Sequence, residues 1–284
     1  MKVSQAILPV AGLGTRFLPW TKAVPKELLP IGNQPIIAHL VDECIDAGIT
    51  DICFVISKGK EMIPQYFYED PALEEELERR GKKHYLEELQ RYREIDFHTV
   101  YQDQKLGDGH AILQAADWVK SEPVAILFGD DLFTGDDPGL KQLVKAYDIY
   151  DIMGADGALL ALENIPRENT ARYGIVDVAE EHEGEPRLKK LKGMVEKPQP
   201  EDAPSTLGIV GRYLIPHSTF SVLSTIEKEH HEEIRLIDAL IKQIPDLPVY
   251  GYECKGTRID TGSPEGYQEA VKVWGAHTKK GDRC

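Results

Sequence analysis

A short apolar run, Ala6 to Ala11, breaks into Gly12-Leu13-Gly14-Thr15-Arg16, and Pro25-Lys26-Glu27 follows closely. A strand ending in such a turn presents backbone N–H groups in a glycine-lined cradle, and Arg16 and Lys26 supply the cations a polyphosphate needs. Ala11 to Arg16 and Lys26 are therefore candidates for the front of a nucleotide site. Two better-known glycine motifs do not fit. The dinucleotide fingerprint needs a third glycine where Phe17 stands, and the ATPase phosphate loop needs a Gly-Lys-Ser/Thr ending that this segment lacks. By itself the turn serves equally well as a tight strand-to-helix corner in which Gly12 and Gly14 only relieve backbone sterics.

Two acids lie at distant turns. Gly129-Asp130-Asp131 follows the apolar run Val124 to Phe128, and Asp260 stands in Arg258-Ile259-Asp260-Thr261-Gly262 beyond a second expected strand. Carboxylates at strand ends suit Mg²⁺, which takes one or two protein carboxylates and completes its shell with water and phosphate oxygens, so Asp130 and Asp260 form the candidate metal pair. Asp also caps helices and forms turns after strands, and that reading competes, most evenly at Asp131. In Val195-Glu196-Lys197-Pro198 an acid and a base are adjacent, and an extended chain would send them to opposite faces, so only a bend lets both reach one ligand. Lys197 would then meet a substrate phosphate and Glu196 a sugar hydroxyl; the rival reading is an exposed surface pair. Gln102, followed by Gly107, Gly109 and His110, offers an amide whose donor and acceptor match a pyrimidine imide face, or is an ordinary loop amide. Gly174 marks either a bulge or a close approach to a sugar.

No convincing Ser-His-Asp or Cys-His signature accompanies these residues. One reaction class manages without it. A phosphate monoester carries a charge of about −1.5 to −2 at neutral pH and can attack without a general base. Nucleotidyl transfer to a sugar 1-phosphate needs charge neutralisation and alignment, which Mg²⁺, Arg16 and Lys197 would provide.

The elements that must position these groups alternate in type. Apolar residues from Ile36 to Ile45 fall on one helical face, with Gly48 as a stop before a strand at 52–56. Further strands are expected at 97–101 and 124–128 with a helix at 111–119 between them, which together indicate a mainly parallel sheet covered on both faces. Glu69 to Glu94, dense in charge, reads as one or two solvent-facing helices. Short strands at 159–162, 173–178, 188–196 and 207–215 suggest a small added β region over the sheet. Helices at 220–228 and 234–244, a strand at 249–254 and a helix from Pro264 complete the pattern.

With 284 residues, 42% hydrophobic and 29% charged, the chain has the size of one large α/β domain. Its net charge of −15 argues against nonspecific nucleic-acid binding. No membrane span or signal-peptide pattern is expected, which points to the cytoplasm. Cys44, Cys53, Cys254 and Cys284 show no paired spacing for zinc or a disulfide framework.

The motifs also occur together in a known order. Pro9 to Pro19, Thr21-Lys22-Ala23, Pro25-Lys26-Glu27, Gln102, Gly107 with Gly109-His110-Ala111, Asp130, Tyr173 to Asp177, Val195 to Pro198, Ala203-Pro204-Ser205, Gly211-Arg212-Tyr213, and Asp260 with Gly262 closely resemble bacterial UTP-glucose-1-phosphate uridylyltransferases of the sugar nucleotidyltransferase family. The resemblance covers nearly the whole chain. It implies an α/β fold: a three-layer α/β/α sandwich with a mixed, mainly parallel Rossmann-like sheet, in a single domain. Residues 1–135 would form mainly the nucleotide-binding half and 136–284 mainly the sugar-phosphate half.

The implied reaction converts UTP and glucose 1-phosphate to UDP-glucose and pyrophosphate with Mg²⁺. By resemblance, Ala11, Gly12, Leu13, Gly14, Thr15 and Arg16 bind the nucleotide with Lys26, and Gln102 and Gly107 meet uracil. Gly174, Glu196 and Lys197 would bind glucose 1-phosphate, Asp130 and Asp260 the metal, and Arg16, Lys26, Asp130 and Lys197 would carry catalysis. Relatives of this kind are commonly homodimers or homotetramers. The alternatives are a transferase preferring dTTP or another sugar phosphate, and a silent paralogue that binds a nucleotide sugar. Departures from the family pattern are Trp20, Asp108, and Glu233-Ile234-Arg235-Leu236-Ile237-Asp238 with its missing upstream glycine.

Overall fold

The computed structural model describes residues 3–120, 123–135, 137–150, 152, 156–229 and 233–277. Its first half contains β1 (Gln5–Pro9), β2 (Pro30–Ile31), β3 (Gln34–Pro35), α1 (Ile36–Asp46), β4 (Asp51–Ile56), α2 (Met62–Gln65), α3 (Pro71–Arg79), α4 (Lys83–Gln90), β5 (Asp96–Tyr101), α5 (Asp108–Leu113), β6 (Val124–Leu127) and β7 (Asp131–Thr134). The second contains α6 (Gly139–Ile149), β8 (Ala158–Asn164), β9 (Gly174–His182), β10 (Glu185–Glu196), β11 (Leu207–Ile215), α7 (Ser218–Glu229), α8 (Leu236–Gln243), β12 (Val249–Glu253), β13 (Thr257–Asp260) and α9 (Pro264–His277).

Nine strands form one sheet in the order β5-β4-β1-β6-β11-β8-β12-β10-β9. Neighbours from β5 to β6 run parallel, as do β8 and β12. In contrast, β11 is antiparallel to β6 and β8, and β10 is antiparallel to β12 and β9. With the further antiparallel contact of β11 with β9, four pairings are parallel and five antiparallel, and a mainly parallel sheet describes only the N-terminal part. Consecutive β9 and β10 pair as a direct antiparallel hairpin, which needs no crossover helix. The strands expected as an added β region over the sheet instead extend it. β11 is buried along nearly its whole length, with Val210 and Leu214 in one core and Ile209, Tyr213 and Ile215 in the other.

Alternation along the strands builds these two cores on opposite faces. Ala6 and Leu8 join α1 residues Leu40, Val41 and Cys44 and α6 residues Leu140 and Leu143, while Ile7 joins Ile112 of α5, Leu223 of α7 and Leu240 of α8. Helix α1 follows the expected face closely, whereas α6 is a helix not expected from the sequence although Leu140, Leu143 and Tyr147 carry helical spacing. The helix expected at 111–119 begins earlier, at Asp108, and gives way to a 3₁₀ turn over 116–118. The charged segment forms α3 and α4, neither with a buried residue, cross-linked by Arg93 to Glu74 and tied to α1 by Arg91 to Asp42 at 2.8 Å. No helix among the described residues is long and apolar enough to cross a membrane.

Candidate active site

The glycine turn leaves the carboxyl end of β1, a strand paired on both sides, which is where an open α/β sheet accepts ligands. Gly14 adopts φ 63°, a left-handed conformation that favours glycine, and its carbonyl accepts from Thr21 Oγ1 at 2.9 Å and Phe17 N at 2.9 Å. A cleft of about 450 Å³ is lined by Ala11, Gly12, Leu13, Gly14, Thr15, Lys26, Gln102, Gly107 and Asp130. Arg16 stands outside that lining and donates to Gly262 O at 3.2 Å. Gln102 is buried, its amide nitrogen held by Gly107 O at 2.9 Å and by His110 Nδ1 at 3.0 Å, which fixes the amide plane. His110 is thus a buried partner of Gln102.

Asp130 and Asp260 converge, although 130 residues separate them. Thr261 clamps their two turns, donating from its backbone N at 2.6 Å and its Oγ1 at 2.9 Å to Asp130 O. Gly262 lies between the carboxylates: a Cβ built there would be 2.9 Å from Asp130 Oδ2 and 2.9 Å from Asp260 Oδ1, so those oxygens are at most twice that distance apart. Only glycine leaves this gap open. Two carboxylate oxygens facing one gap are the donors that would hold a hard cation such as Mg²⁺. Two carboxylates are hard oxygen donors and suit a cation that takes its other ligands from water and phosphate; among the described residues no cluster of three or more His, Cys, Asp or Glu could hold a metal.

Lys26 Nζ pairs with Asp130 Oδ2 at 2.9 Å. Burial pushes the Asp130 carboxyl up, but Lys26 and Arg16 more than offset it and hold it below the usual carboxylate range. Asp260 accepts from Gly262 N at 2.8 Å and faces Arg172 at 3.4 Å. Gly262→Ala is expected to cut turnover at least tenfold, because the new methyl pushes the carboxylates apart, yet to leave stability within about 1 kcal/mol because flexible side-chain ends yield. Parallel initial-rate and thermal-melt measurements check this.

A second cavity, about 210 Å³, is lined by Gly174, Glu196 and Lys197 and shares Asp130 with the first. The bend required at Lys197 is present: its φ is 48°, its N donates to Tyr173 O at 3.0 Å, and its Nζ lies 2.9 Å from Glu196 Oε1. A non-glycine residue held in this region stores strain of order 1–3 kcal/mol, a cost that concentrates at functional sites. Glu196 is paired in register with Gly174, where an added Cβ would lie 3.2 Å from Glu196 Oε2 and 2.8 Å from Ile237 Cδ1.

Several further residues hold the site, of which Arg258 and Lys60 were given no role from sequence and Asp131 was left between a turn former and a site residue. Asp131 is engaged by Arg258, which also donates to Glu163 Oε2 at 2.6 Å and to Tyr173 OH at 2.9 Å. Asp131 therefore braces the β7–β13 ribbon, in which Asp260 pairs with Asp131. Glu27, which lines the cleft, and Lys60, which lies behind it, form a buried pair at 2.9 Å. Lys60 lies in Lys58-Gly59-Lys60 just past β4, a strand-end position that marks it as a candidate.

Asp108 lines both cavities and accepts from Leu236 N at 2.7 Å. Burial pushes its carboxyl up to about 6 against that hydrogen bond, with Glu233 and Glu196 adding to the rise. A raised carboxylate pKa means the native state holds a proton the unfolded chain releases, so this contribution is present below pH 4 and lost as pH climbs through 6. Asp108→Asn keeps the acceptor without the charge. It should match the parent at pH 4 and exceed it by on the order of 2 kcal/mol at pH 8 in urea titrations.

A strand-end glycine cradle, two converging carboxylates and a second cavity with a bent acid–base pair form an arrangement suited to group transfer from a nucleotide. Residues 5–274 match the family described as nucleotidyl transferase, and the chain belongs to it. Within it, the chain is 39% identical over 267 residues to a UTP–glucose-1-phosphate uridylyltransferase of Bacillus subtilis, covering 94% of this chain and 89% of that one. A UTP-bound UGPase from Acinetobacter baumannii superposes with a TM-score of 0.87 at 35% identity, covering 97% of this chain and 94% of that one. A UDP-glucose pyrophosphorylase complexed with UDP-glucose gives 0.83 at 34% identity, covering 97% and 99% respectively. The resemblance drawn from the motifs is thereby borne out.

Proposed function

We propose that this chain converts UTP and glucose 1-phosphate to UDP-glucose and pyrophosphate. The observation that carries the reading is that the two cavities meet at Asp130, so a triphosphate in one can present its α-phosphate to a sugar phosphate in the other. Backbone N–H groups of Ala11 to Thr15 would cradle the triphosphate with Lys26, while Arg16, released from Gly262 O, would neutralise charge leaving with pyrophosphate. Gln102 and Gly107 would meet the base. Lys197 would orient the attacking phosphate, and Glu196, beside Gly174, would accept from sugar hydroxyls.

The donor chemistry of Asp130 and Asp260 fits Mg²⁺, which when bound supplies charge neutralisation at the phosphates. We read the whole as one three-layer α/β/α domain acting in the cytoplasm as a homodimer or homotetramer. Nucleotide recognition is assigned mainly to residues 1–135 and sugar-phosphate recognition mainly to 136–284. Cores on both sheet faces support the layering, and Glu233 reaching the nucleotide cleft supports a single unit.

Initial rates of pyrophosphate release with glucose 1-phosphate and UTP, dTTP, CTP or ATP test the assignment. UTP should lead. Preference for a non-uridine nucleotide, or no release with any, would overturn it.

A further inference from the structure

We propose that Lys60 is a positioning residue that holds the start of the glycine loop and the turn carrying Lys26 in fixed register; its nucleotide ligand rests on the function proposed above. Lys60 lines neither cavity, yet its buried ammonium donates to Val10 O at 2.7 Å and to Glu27 Oε2 at 2.9 Å. Val10 is the first residue beyond β1, and Ala11 to Arg16 follow it directly. Glu27 is adjacent to Lys26 and only 1% exposed. One cation therefore ties together the two backbone segments that must face the same triphosphate.

The third segment of the cradle rests on the same pair. A Cβ at Gly129, next to Asp130, would be 3.0 Å from Val10 Cγ1 and 3.4 Å from Glu27 Cγ. Lys60 is itself fixed by its turn, with its N donating to Ser57 O at 3.1 Å and its O accepting from Ile63 N at 3.0 Å. A residue serving only to neutralise Glu27 would need one contact. Lys60 spends a second donor on a loop carbonyl, and an ammonium has the donors to do both. Burial lowers its pKa despite Glu27, with Lys26 and Lys105 opposing its charge as well, a cost that the two contacts must offset.

The distinction is testable with Lys60→Met and the double variant Glu27→Gln/Lys60→Met, comparing melting temperature and calorimetric Kd for Mg–nucleoside triphosphate and for glucose 1-phosphate. The single variant strands a buried carboxylate and should melt lower; the double variant removes that charge and should recover most of the loss. If Lys60 positions the cradle, nucleotide binding in the double variant stays weakened roughly tenfold while sugar-phosphate binding is unchanged. Nucleotide affinity returning to the parental value in the double variant, or both ligands weakening equally, would overturn the proposal. Binding is read with whichever triphosphate the parent protein takes, so a non-uridine preference defeats the functional assignment and leaves this comparison intact.

Discussion

Asp130→Asn is expected to lower turnover by roughly 10²–10³-fold, the range found when one group stabilising transition-state charge is removed, while the protein remains folded. Asp130 lines both cavities, as Asp108 and Phe128 do, and its carboxylate stands between the Lys26 ammonium at 2.9 Å and the gap at Gly262 opposite Asp260. Asparagine keeps the shape and the acceptor toward Lys26 but deletes the negative charge that a hard cation requires. Lys26, whose pKa burial would lower but which Asp130 and Glu27 raise, loses the stronger of these two partners. Pyrophosphate release and thermal melting, measured on Asp130→Asn and Asp260→Asn together, decide the matter. Turnover within a few-fold of the parent in both would remove the paired carboxylates from the chemistry.

The second large effect falls on stability. Glu43→Ala should destabilise the protein by about 3–5 kcal/mol, because it leaves Arg212 charged, buried and without its carboxylate. Arg212 is fully buried on β11 and meets Glu43 of α1 through Nε at 3.0 Å and Nη2 at 2.7 Å. Glu43 also accepts from Leu140 N at the start of α6, at 2.8 Å, so the pair joins two helices to the sheet. For a chain of this size the melting temperature should fall by roughly 10 °C. Activity should suffer too, since Arg212 Nη2 holds Asp131 O at 2.7 Å, next to Asp130. Replacing both partners with Met should restore much of the stability without the polar tether. A melting point for Glu43→Ala within 2 °C of the parent would contradict the buried-pair argument.

Much of the site was legible locally. The glycine turn past β1, the acid past β6, the acid that closes β13 and the Glu196–Lys197 doublet were each marked by residue type and position at a strand end. Periodicity located α1 and the parallel strands because one buried face repeats regularly there. It missed α6, whose spacing was present, and the β7–β13 and β2–β3 pairs, which are too short to carry a period. Glu43, Arg212 and Arg258 received no role because nothing along the chain distinguishes a charge that will be buried with a partner from one left in water, and Lys60 carried only its strand-end position. The expectation of an added β region failed for a related reason: strand propensity marks β9, β10 and β11 as strands, but pairing partners are set by the fold.

What the sequence determined by itself was the chemistry available: a cradle of backbone amides with local cations, carboxylates suited to a hard metal, and no requirement for a general base. These follow from residue types and short spacings, which fix local backbone conformation and side-chain charge. The tertiary structure decided convergence. Thr261 brings Asp260 to Asp130, Gly262 leaves room between them, the left-handed Lys197 turns an opposed pair into a shared one, and buried Lys60 and Arg212 hold the segments in place. Such contacts join residues far apart in the chain, and their geometry exists only once the strands have paired and the cores have closed.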